Sequence, residues 1–496
     1  YYALSQIYLI KNDFESSSES IQKAAELDPD NTWYLQELAY MFYETEDYAN
    51  SVKSFGRLVE IEPRNIDWLY GYAEALVKNG ETMKAVEALN KAEEQVGAAP
   101  QFSIQKYQLY IEAGDTEAAI NELEKGQKKF PKDAQIIATM VDHYFRANQY
   151  SKAIEKLEEL VVADPSNGRA HLALADIYRQ QGRMDDAYRQ LKEAFPLLDV
   201  DLDTKMQVLI SIHDSQDKID PQATELVDLL IQTYPDQAKP YSIKGDFLLK
   251  KGAEKDALTA YRKALEYDKT LYPIWNQVLI MEYQATEFEL LYADSKECLE
   301  LFPTMSIVYL LNGVSANQLK KHDEALESLV TGIELVINDP AMKAEFYGQI
   351  GEAYFGLKDN DEGITNYKKA LSLDSKSNLL KNNFAFRLAT AKKDLELAQS
   401  IIEQAVSSSP GQSQYQDTYG WVYFQQGKYD KAKAQFEKAY EINTQDRLIL
   451  EHLGDVEYKL GNKSKAVEWW KKGLEIDPEH KLLEKKIDNQ KYYEPE

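Results

Sequence analysis

The residues that most often do chemistry are scattered along this chain of 496 residues. It has a single cysteine, Cys298, and no two of its six histidines stand four residues apart, the spacing with which one helix face presents two metal ligands. Gly-x-Gly-x-x-Gly, phosphate-loop and Gly-x-Ser-x-Gly motifs do not occur in the sequence. The sequence therefore predicts a protein that is not an enzyme and that uses no metal, cofactor or small-molecule substrate.

Acidic and aromatic side chains carry the remaining chemistry, which is that of binding. Asp and Glu number 83 against 57 Lys and Arg, giving a formal net charge of −26. This excess of negative charge repels phosphate backbones and anionic lipid surfaces, so nucleic acid is not an expected partner. No apolar run approaches the roughly 18 residues that a membrane span needs. We therefore expect protein partners and no transmembrane segment in this sequence.

A regular spacing of prolines indicates which elements must position these side chains. Thirty-four residues separate Pro29 from Pro63, and the same interval separates Pro131 from Pro165. Each proline follows a hydrophobic helical run and cannot continue it, because it lacks an N–H and its ring crowds the preceding turn. A constant period of this length is typical of a repeat array. The sequence thus predicts one continuous, elongated helical core.

The clearest repeat covers residues 413–444, and we number its positions from Ser413. Position 7 is aromatic, position 8 is glycine, position 11 is aromatic, and alanine at 20 and 27 flanks an aromatic residue at 24: Tyr419, Gly420, Tyr423, Ala432, Phe436 and Ala439. This pattern resembles the tetratricopeptide repeat (TPR), and the same frame fits most of the chain. The resemblance implies an all-α fold, a TPR α-solenoid in which about fourteen helix-turn-helix repeats form a right-handed superhelix. It also implies that the first helix of each pair lines a concave groove.

Departures from the period divide the predicted array. Residues 1–195 are expected to form an N-terminal TPR array with a truncated first repeat, and residues 237–478 a C-terminal array. Residues 196–236 lack the Gly/Ala pattern, and we interpret them as a degenerate repeat that marks either a bend or simple sequence drift. Residues 479–491 are predicted to form an amphipathic capping helix. Its apolar face carries Leu482, Leu483 and Ile487. Its remaining positions are Lys481, Lys485, Lys486 and Asp488.

The resemblance places the candidate binding residues at positions 5, 9 and 12 of the first helices. Position 9 carries a carboxylate in six of twelve repeats: Glu74, Asp142, Asp176, Asp246, Glu352 and Asp455. Arg387 is the only basic residue among positions 5 and 9 of these repeats, which disfavours the carboxylate clamp of TPR co-chaperones that grip Hsp70 and Hsp90. The predicted protein-binding residues of the concave groove are Asp417, Trp421, Phe424, Glu451, Asp455, Tyr458, Glu352 and Arg387. Such a groove suits an extended or helical segment with basic and apolar groups, although position 9 can also be a plain solvent-exposed position.

These observations predict a non-catalytic scaffold for protein–protein interaction. Residues 382–385, 417–421 and 453–455 resemble long bacterial TPR proteins, many of them from Bacteroidota, that serve the cell envelope as lipoproteins or periplasmic subunits. The resemblance implies a subunit of a multiprotein envelope complex in outer-membrane biogenesis or secretion, located in the periplasm or at the periplasmic face of the outer membrane. Because Tyr1 falls inside a repeat, we expect upstream sequence that could carry a signal peptide or a lipid anchor. The alternative is a cytoplasmic peptide-binding adaptor or chaperone cofactor.

Overall fold

The chain folds entirely into helices in the computed structural model, which describes residues 1–494. These residues form twenty-nine α-helices and no strand, as the all-α prediction requires. The chain divides into two compact units, Tyr1–Pro235 and Asp236–Glu496. Successive helices pack as antiparallel pairs within each unit, so the prediction of a TPR array is confirmed.

The first unit consists of seven helix pairs. Its helices are α1 (Tyr2–Ile10), α2 (Phe14–Leu27), α3 (Thr32–Glu44), α4 (Tyr48–Ile61), α5 (Ile66–Lys78), α6 (Thr82–Val96), α7 (Pro100–Glu112), α8 (Thr116–Lys129), α9 (Ala134–Arg146), α10 (Tyr150–Ala163), α11 (Gly168–Gln180), α12 (Met184–Ala194), α13 (Leu202–Ser215) and α14 (Pro221–Thr233).

The second unit consists of seven further pairs and one terminal helix. Its helices are α15 (Ala238–Lys250), α16 (Glu254–Tyr267), α17 (Tyr272–Gln284), α18 (Phe288–Leu301), α19 (Ser306–Gln318), α20 (His322–Glu334), α21 (Pro340–Gly356), α22 (Asn360–Leu373), α23 (Asn378–Thr390), α24 (Leu395–Ser408), α25 (Ser413–Gln425), α26 (Tyr429–Ile442), α27 (Arg447–Lys459), α28 (Lys463–Ile476) and α29 (Lys481–Asp488).

A left-handed residue at position 15 joins the two helices of nearly every pair. Its φ lies between 52° and 88°, and the residue is glycine at six of these turns, including Gly427. Glycine adopts this conformation without a steric cost, which is why it ends helices so often. The exception is the pair α13/α14, where Gln216 has an extended backbone and residues 216–220 form a longer connection.

Glycine at position 8 lets the two helices of a pair approach closely. A Cβ added at Gly420 would lie 2.5 Å from Cδ1 of Phe436, the residue at position 24 of the same repeat. The same relation recurs between position 8 and position 24 in four other pairs of the second unit: Gly245 with Tyr261, Gly313 with Leu329, Gly351 with Tyr367, and Gly454 with Trp470. The large side chain at position 24 fills the space that the missing Cβ leaves, and the predicted repeat register is confirmed at these positions.

The degenerate pair α13/α14 is held by contacts that the repeat pattern does not contain. Lys205 is fully buried in α13, and its Nζ donates to the carbonyl oxygen of Leu197 at 2.6 Å and to the hydroxyl of Tyr234 at 3.1 Å. An apolar cavity of about 220 Å³ lies between α11, α12 and α13, with Tyr188 and Ile212 among its lining residues. The predicted bend at residues 196–236 stays a prediction.

The terminal helix α29 differs in two respects from the predicted capping helix. The prediction gave residues 479–491, whereas the helix spans Lys481–Asp488, because the His480 side chain caps its start and Gln490 adopts a left-handed backbone beyond its end. Leu483 is buried and Leu482 and Ile487 are half-buried, as an apolar face requires. Lys486 was placed with the polar positions, and this was wrong, because its side chain is completely buried. Lys486 is buried because its ammonium group binds two carboxylates of α27, and not because its side chain is apolar.

Candidate protein-binding site

The predicted binding residues all lie on first helices of the second unit. We call the surface formed by α21, α23, α25 and α27 the first-helix face of this unit. Glu352 lies on α21 and Arg387 on α23, and the others lie on the next two first helices: Asp417, Trp421 and Phe424 on α25, and Glu451, Asp455 and Tyr458 on α27. Neighbouring first helices contact one another, so the structure does bring these residues together on one face.

Most of the predicted binding residues are buried rather than open to a partner. Five of the eight residues are at most 5% exposed: Asp417, Trp421, Phe424, Glu451 and Asp455. Tyr458, Glu352 and Arg387 are half-buried. The chain itself supplies the covering groups, which come from α29, from residues 489–494 and, over Asp417 and Trp421, from His452 of α27. Whether these side chains bind a partner therefore depends on what covers them.

Lys486 of α29 forms the centre of the cover. Its Nζ lies 2.6 Å from Oε1 of Glu451 and 2.8 Å from both carboxylate oxygens of Asp455. The second oxygen of Glu451 accepts from Arg447 at 2.5 Å, and Asp455 also accepts from Nε1 of Trp470 at 2.9 Å. Buried charges persist only when they are paired and hydrogen-bonded in this way. We call Lys486, Glu451 and Asp455 the buried ion cluster.

A second buried contact joins α25 to α27 beside this cluster. Nδ1 of His452 lies 2.9 and 3.0 Å from the two carboxylate oxygens of Asp417. The imidazole stacks on Trp421 with ring centroids 4.5 Å apart, and Trp421 stacks on Phe424 at 5.1 Å. Trp421 also donates from Nε1 to Oγ1 of Thr390 at 3.1 Å. These rings pack the repeats together, which is a structural role.

The pKa values of the buried groups are shifted in different directions. Burial raises the pKa of Asp455 to about 6, although the Lys486 ammonium opposes this increase. Burial would also raise the pKa of Glu451, but the charge and hydrogen bond of Lys486 hold it below its ordinary value. Burial lowers the pKa of His452, and the Asp417 carboxylate outweighs burial, so the pKa lies above its ordinary value. Asp455 and His452 therefore keep their protons to a higher pH in the folded chain than in the unfolded chain.

Glu352 and Arg387 also bind each other. Arg387 donates from Nε to Oε2 of Glu352 at 2.8 Å and from Nη2 to the same oxygen, and the hydroxyl of Tyr367 donates to Oε1. Burial and the Glu352 carboxylate raise the pKa of Tyr367, so its proton remains in place. Arg387, the single basic residue found at positions 5 and 9, therefore already forms an ion pair with the neighbouring repeat.

A simple spacing explains which position 9 carboxylates are internal. The residue fifteen places further along, at position 24, donates to the carboxylate in three repeats of the second unit: Tyr261 to Asp246 at 2.7 Å, Tyr367 to Glu352, and Trp470 to Asp455 at 2.9 Å. In the first unit position 24 is instead leucine opposite three exposed carboxylates, with Leu89, Leu157 and Leu191 opposite Glu74, Asp142 and Asp176. An aromatic donor at position 24 is thus the sequence signal that separates a structural carboxylate from an exposed one.

The sequence interpretation missed three residues that decide the state of this face. They are Lys486, His452 and Tyr492, the last of which packs against Phe424 with ring centroids 5.8 Å apart. Lys486 stands 34 residues after His452 and so occupies position 6, which is buried in the two preceding repeats. That register was a usable signal for Lys486, and the amphipathic pattern of α29 concealed it.

The charged side chains of the described chain pair with one another instead of forming ligand shells. Among residues 1–494, no group of three or more His, Cys, Asp or Glu residues has an arrangement that could hold a metal ion. Within the same range, no helix has both the length and the apolar character of a membrane span. The site is defined by ion pairs and stacked rings, which are contacts of protein recognition and of packing.

Paired antiparallel helices that repeat every 34 residues define an α-helical repeat protein. Sequence models of the tetratricopeptide repeat match more than half of the chain, at residues 1–31, 37–101, 110–161, 139–197, 344–377, 413–446 and 449–480. The chain belongs to the tetratricopeptide repeat family.

Two curated proteins share about a quarter of their residues with parts of this chain. Protein O-mannosyl-transferase TMTC3 of Homo sapiens is 26% identical over 193 residues, which cover 38% of this chain and 20% of that protein. The Hsp70-Hsp90 organising protein of Plasmodium falciparum (isolate 3D7) is 26% identical over 168 residues, covering 32% of this chain and 28% of that protein. The chain thus spans less than a third of the length of either relative.

Two solved structures are similar to this chain at low sequence identity. A tetratricopeptide repeat protein from Parabacteroides merdae ATCC 43184 is 16% identical, with a TM-score of 0.44, and covers 51% of this chain and 98% of its own. Yeast Tom70 is 14% identical, with a TM-score of 0.37, and covers 99% of this chain and 94% of its own.

Proposed function

We propose that this chain is a non-catalytic scaffold that holds partner proteins on its first helices. Membership of the tetratricopeptide repeat family supports protein–protein interaction as the general role. The observation that carries the proposal is the series of exposed carboxylates Glu74, Asp142 and Asp176 at position 9 of the first unit. Carboxylates in this arrangement attract a segment that carries basic groups and apolar anchors.

The acidic binding surface that we propose lies in the first unit, whereas the sequence predicted it in the second unit. Asp417, Glu451 and Asp455 motivated the prediction of a basic partner, but each is buried and already paired. Glu74, Asp142 and Asp176 lie on α5, α9 and α11, where an aromatic donor at position 24 is replaced by leucine. Glu74 accepts from the hydroxyl of Tyr43 and Asp176 from Arg179, but both contacts are at the surface and all three carboxylates remain exposed. Exposure therefore makes these three residues the better candidates for charge pairing with a partner.

A charge-reversal triple tests the scaffold role of this surface. We expect the combination Glu74→Lys, Asp142→Lys and Asp176→Lys to slow association with the partner roughly tenfold at low ionic strength, and less in salt. The control triple is Glu87→Lys, Glu124→Lys and Glu193→Lys, which changes the charge equally on the second helices α6, α8 and α12. Binding is measured by titration with the protein that co-purifies with the wild-type chain. Equal loss of binding in both triples would contradict the proposal.

We also propose that the scaffold is a subunit of a bacterial envelope complex in outer-membrane biogenesis or secretion, at the periplasmic side of the outer membrane. The support is the resemblance of residues 382–385, 417–421 and 453–455 to long envelope TPR proteins. Fractionation of the source cells, together with sequencing of the mature N-terminus, tests it. A lipid-modified or signal-processed N-terminus is the expected result, and a mature protein found only in the cytoplasm would overturn it.

The structure gives less support to an adaptor of the Hsp70 and Hsp90 type. Its clamp requires several cations on the first helices, and Arg387 is the only one among positions 5 and 9 of the twelve repeats. Arg387 is bound to Glu352 in the folded chain. The alternative of a peptide-binding adaptor therefore needs a different recognition chemistry from that clamp.

A further inference from the structure

Residues 489–494 turn back across the first helices that precede them. After α29, the chain passes the C-terminal ends of three successive first helices, α27, α25 and α23. Nζ of Lys459, the last residue of α27, lies 4.3 Å from the ring centroid of Tyr492. Lys392, two residues beyond α23, binds the carboxylate of Glu494 at 2.7 Å. We call residues 489–494 the tail, and Lys392, Phe424 and Lys459 the tail groove.

The tail occupies the groove in the manner of an extended peptide. Tyr492 is half-buried against the hydrophobic core of the second unit, where its ring contacts Phe424 and the ammonium groups of Lys459 and, at 5.4 Å, Lys486. Glu494, two residues later, reaches the next cation, Lys392. Residues 491–494 have no regular secondary structure. A cation over an aromatic ring and an ion pair are both contacts that a separate polypeptide could make equally well.

The tail is held far less firmly than the helix before it. α29 is fixed by the buried side chains of Leu483 and Lys486, whereas the tail has no buried side chain and only two half-buried rings, Tyr492 and Tyr493. The Lys392–Glu494 ion pair joins side chains that are 51% and 62% exposed, and an ion pair of this kind contributes little. The tail can therefore leave the groove while α29 and the buried ion cluster remain in place.

We propose that the tail groove is a peptide-binding site that the chain's own tail keeps closed. Its partner is an extended protein segment in which an aromatic residue is followed, two positions later, by a carboxylate. The proposal deepens the scaffold function and rests on it, since it adds a second recognition surface to the acidic one of the first unit. The chemistry is opposite to that of the acidic surface, because the groove presents two lysines and an aromatic ring.

The carboxylates near the groove do not favour a basic occupant. Asp417 is hydrogen-bonded to His452, and Glu451 and Asp455 are bound to Lys486, so these acids already have partners beneath the surface. The charges that line the groove itself are the ammonium groups of Lys392 and Lys459. A carboxylate of the partner therefore finds a complementary charge, as Glu494 does.

A tail-release variant of the 496-residue chain tests the proposal. The change Tyr492→Ser with Glu494→Gln removes the ring contacts of Tyr492 and the ion pair of Glu494. Tyr493→Ser is the matched control, because the ring contacts of Tyr493 are with Lys485 and Lys491, outside the tail groove. The probe is a fluorescein-labelled peptide of residues 488–494 with an amidated C-terminus, followed by fluorescence anisotropy. We expect the tail-release variant to bind the peptide at least tenfold more tightly than the wild type or the control.

Charge exchange then identifies the groove as the binding site. Lys392→Glu in the tail-release variant should abolish the gain, and a peptide with lysine in place of Glu494 should restore it. Circular dichroism and slow amide exchange in α29 show that the variants remain folded. Equal binding to the wild type and the tail-release variant, or no binding to either, would overturn the proposal. A wild-type dimer that Tyr492→Ser dissociates would also overturn it, since the tail would then fill the groove of a second copy.

The peptide assay and the charge-reversal triple fail independently. The peptide assay uses no natural partner, so it can succeed even if the acidic surface of the first unit proves inert. Conversely, the triple can reduce partner binding while the peptide shows no affinity for the tail groove. Each result therefore bears on one proposal only.

Discussion

The role of a carboxylate in this chain depends on its position in the repeat and on the residue at position 24. Aspartate or glutamate at position 9 is structural where position 24 offers an aromatic donor and is exposed where position 24 is leucine. Trp470 and Asp455 illustrate the first case, and Leu157 and Asp142 the second. The identity of one residue therefore cannot be interpreted without the residue fifteen places later.

Gly420 should not tolerate a larger side chain. A Cβ there already falls 2.5 Å from the Phe436 ring, so Gly420→Leu should destabilise the second unit by about 1–3 kcal/mol. Gly411→Leu is the control, because no atom lies within 4 Å of a Cβ at that turn position. Urea unfolding measures the free energy, and amide exchange should accelerate in α25 to α28 but not in the first unit. Equal stability of the two variants would contradict the repeat register.

The buried titrating groups predict a pH dependence of the second unit. The pKa of Asp455 is raised by burial, and that of His452 is raised by Asp417, so both contribute stability at low pH. The Asp455 contribution is lost as pH rises from about 4 to about 6, and the His452 contribution as pH rises above about 6.5 through its folded-state pKa. Glu451 acts in the opposite sense, because its lowered pKa removes stability only below about 4.5.

We therefore expect the second unit to be more stable at pH 5 than at pH 8. Urea unfolding followed by tryptophan fluorescence measures the difference. Asp455→Asn, which keeps an acceptor for Trp470, should flatten the profile between pH 4 and pH 6. A wild-type second unit that gains stability from pH 5 to pH 8 would show that the buried groups do not titrate as described.

At the scale of elements, the sequence was sufficient to predict the helix pairs, because their rules are local and periodic. Proline marks the ends of second helices, and a left-handed residue at position 15 joins the two helices of a pair. The pair α13/α14 has no left-handed residue at position 15. The sequence predicts this pair to be degenerate because the Gly/Ala pattern is missing. At α29 the amphipathic pattern indicated a polar face for Lys486, although the 34-residue register places it at the buried position 6.

Lys486 should be essential for the docking of α29. Lys486→Met leaves Glu451 and Asp455 without their shared cation inside the protein, and breaking such a buried pair costs about 3–5 kcal/mol. Lys485→Met alters the exposed neighbour and should change the stability by less than about 0.5 kcal/mol. Amide exchange of α29 and α27 distinguishes the two variants. Unchanged protection of α29 in Lys486→Met would mean that Leu483 alone holds the helix.

At the scale of the whole molecule, the fold was predictable and the state of the candidate site was not. The repeat period determines where position 9 of each first helix lies, so Asp417, Glu451 and Asp455 could be assigned to one face. Glu451 and Asp455 are covered by Lys486, 35 and 31 residues further along, and Asp417 by His452, 35 residues further along. Tyr492 lies in a segment without a repeat pattern. The repeat register marks His452 and Lys486 as buried position 6 residues, but it does not indicate which carboxylates they bind.

The central claim is that partner proteins bind the first helices of this chain. Hydrogen–deuterium exchange of the chain alone and in complex with its co-purified partner tests this claim most directly. We predict added protection in α5, α9 and α11, where Glu74, Asp142 and Asp176 are exposed. Protection confined to the second helices, with the first helices unchanged, would contradict the account.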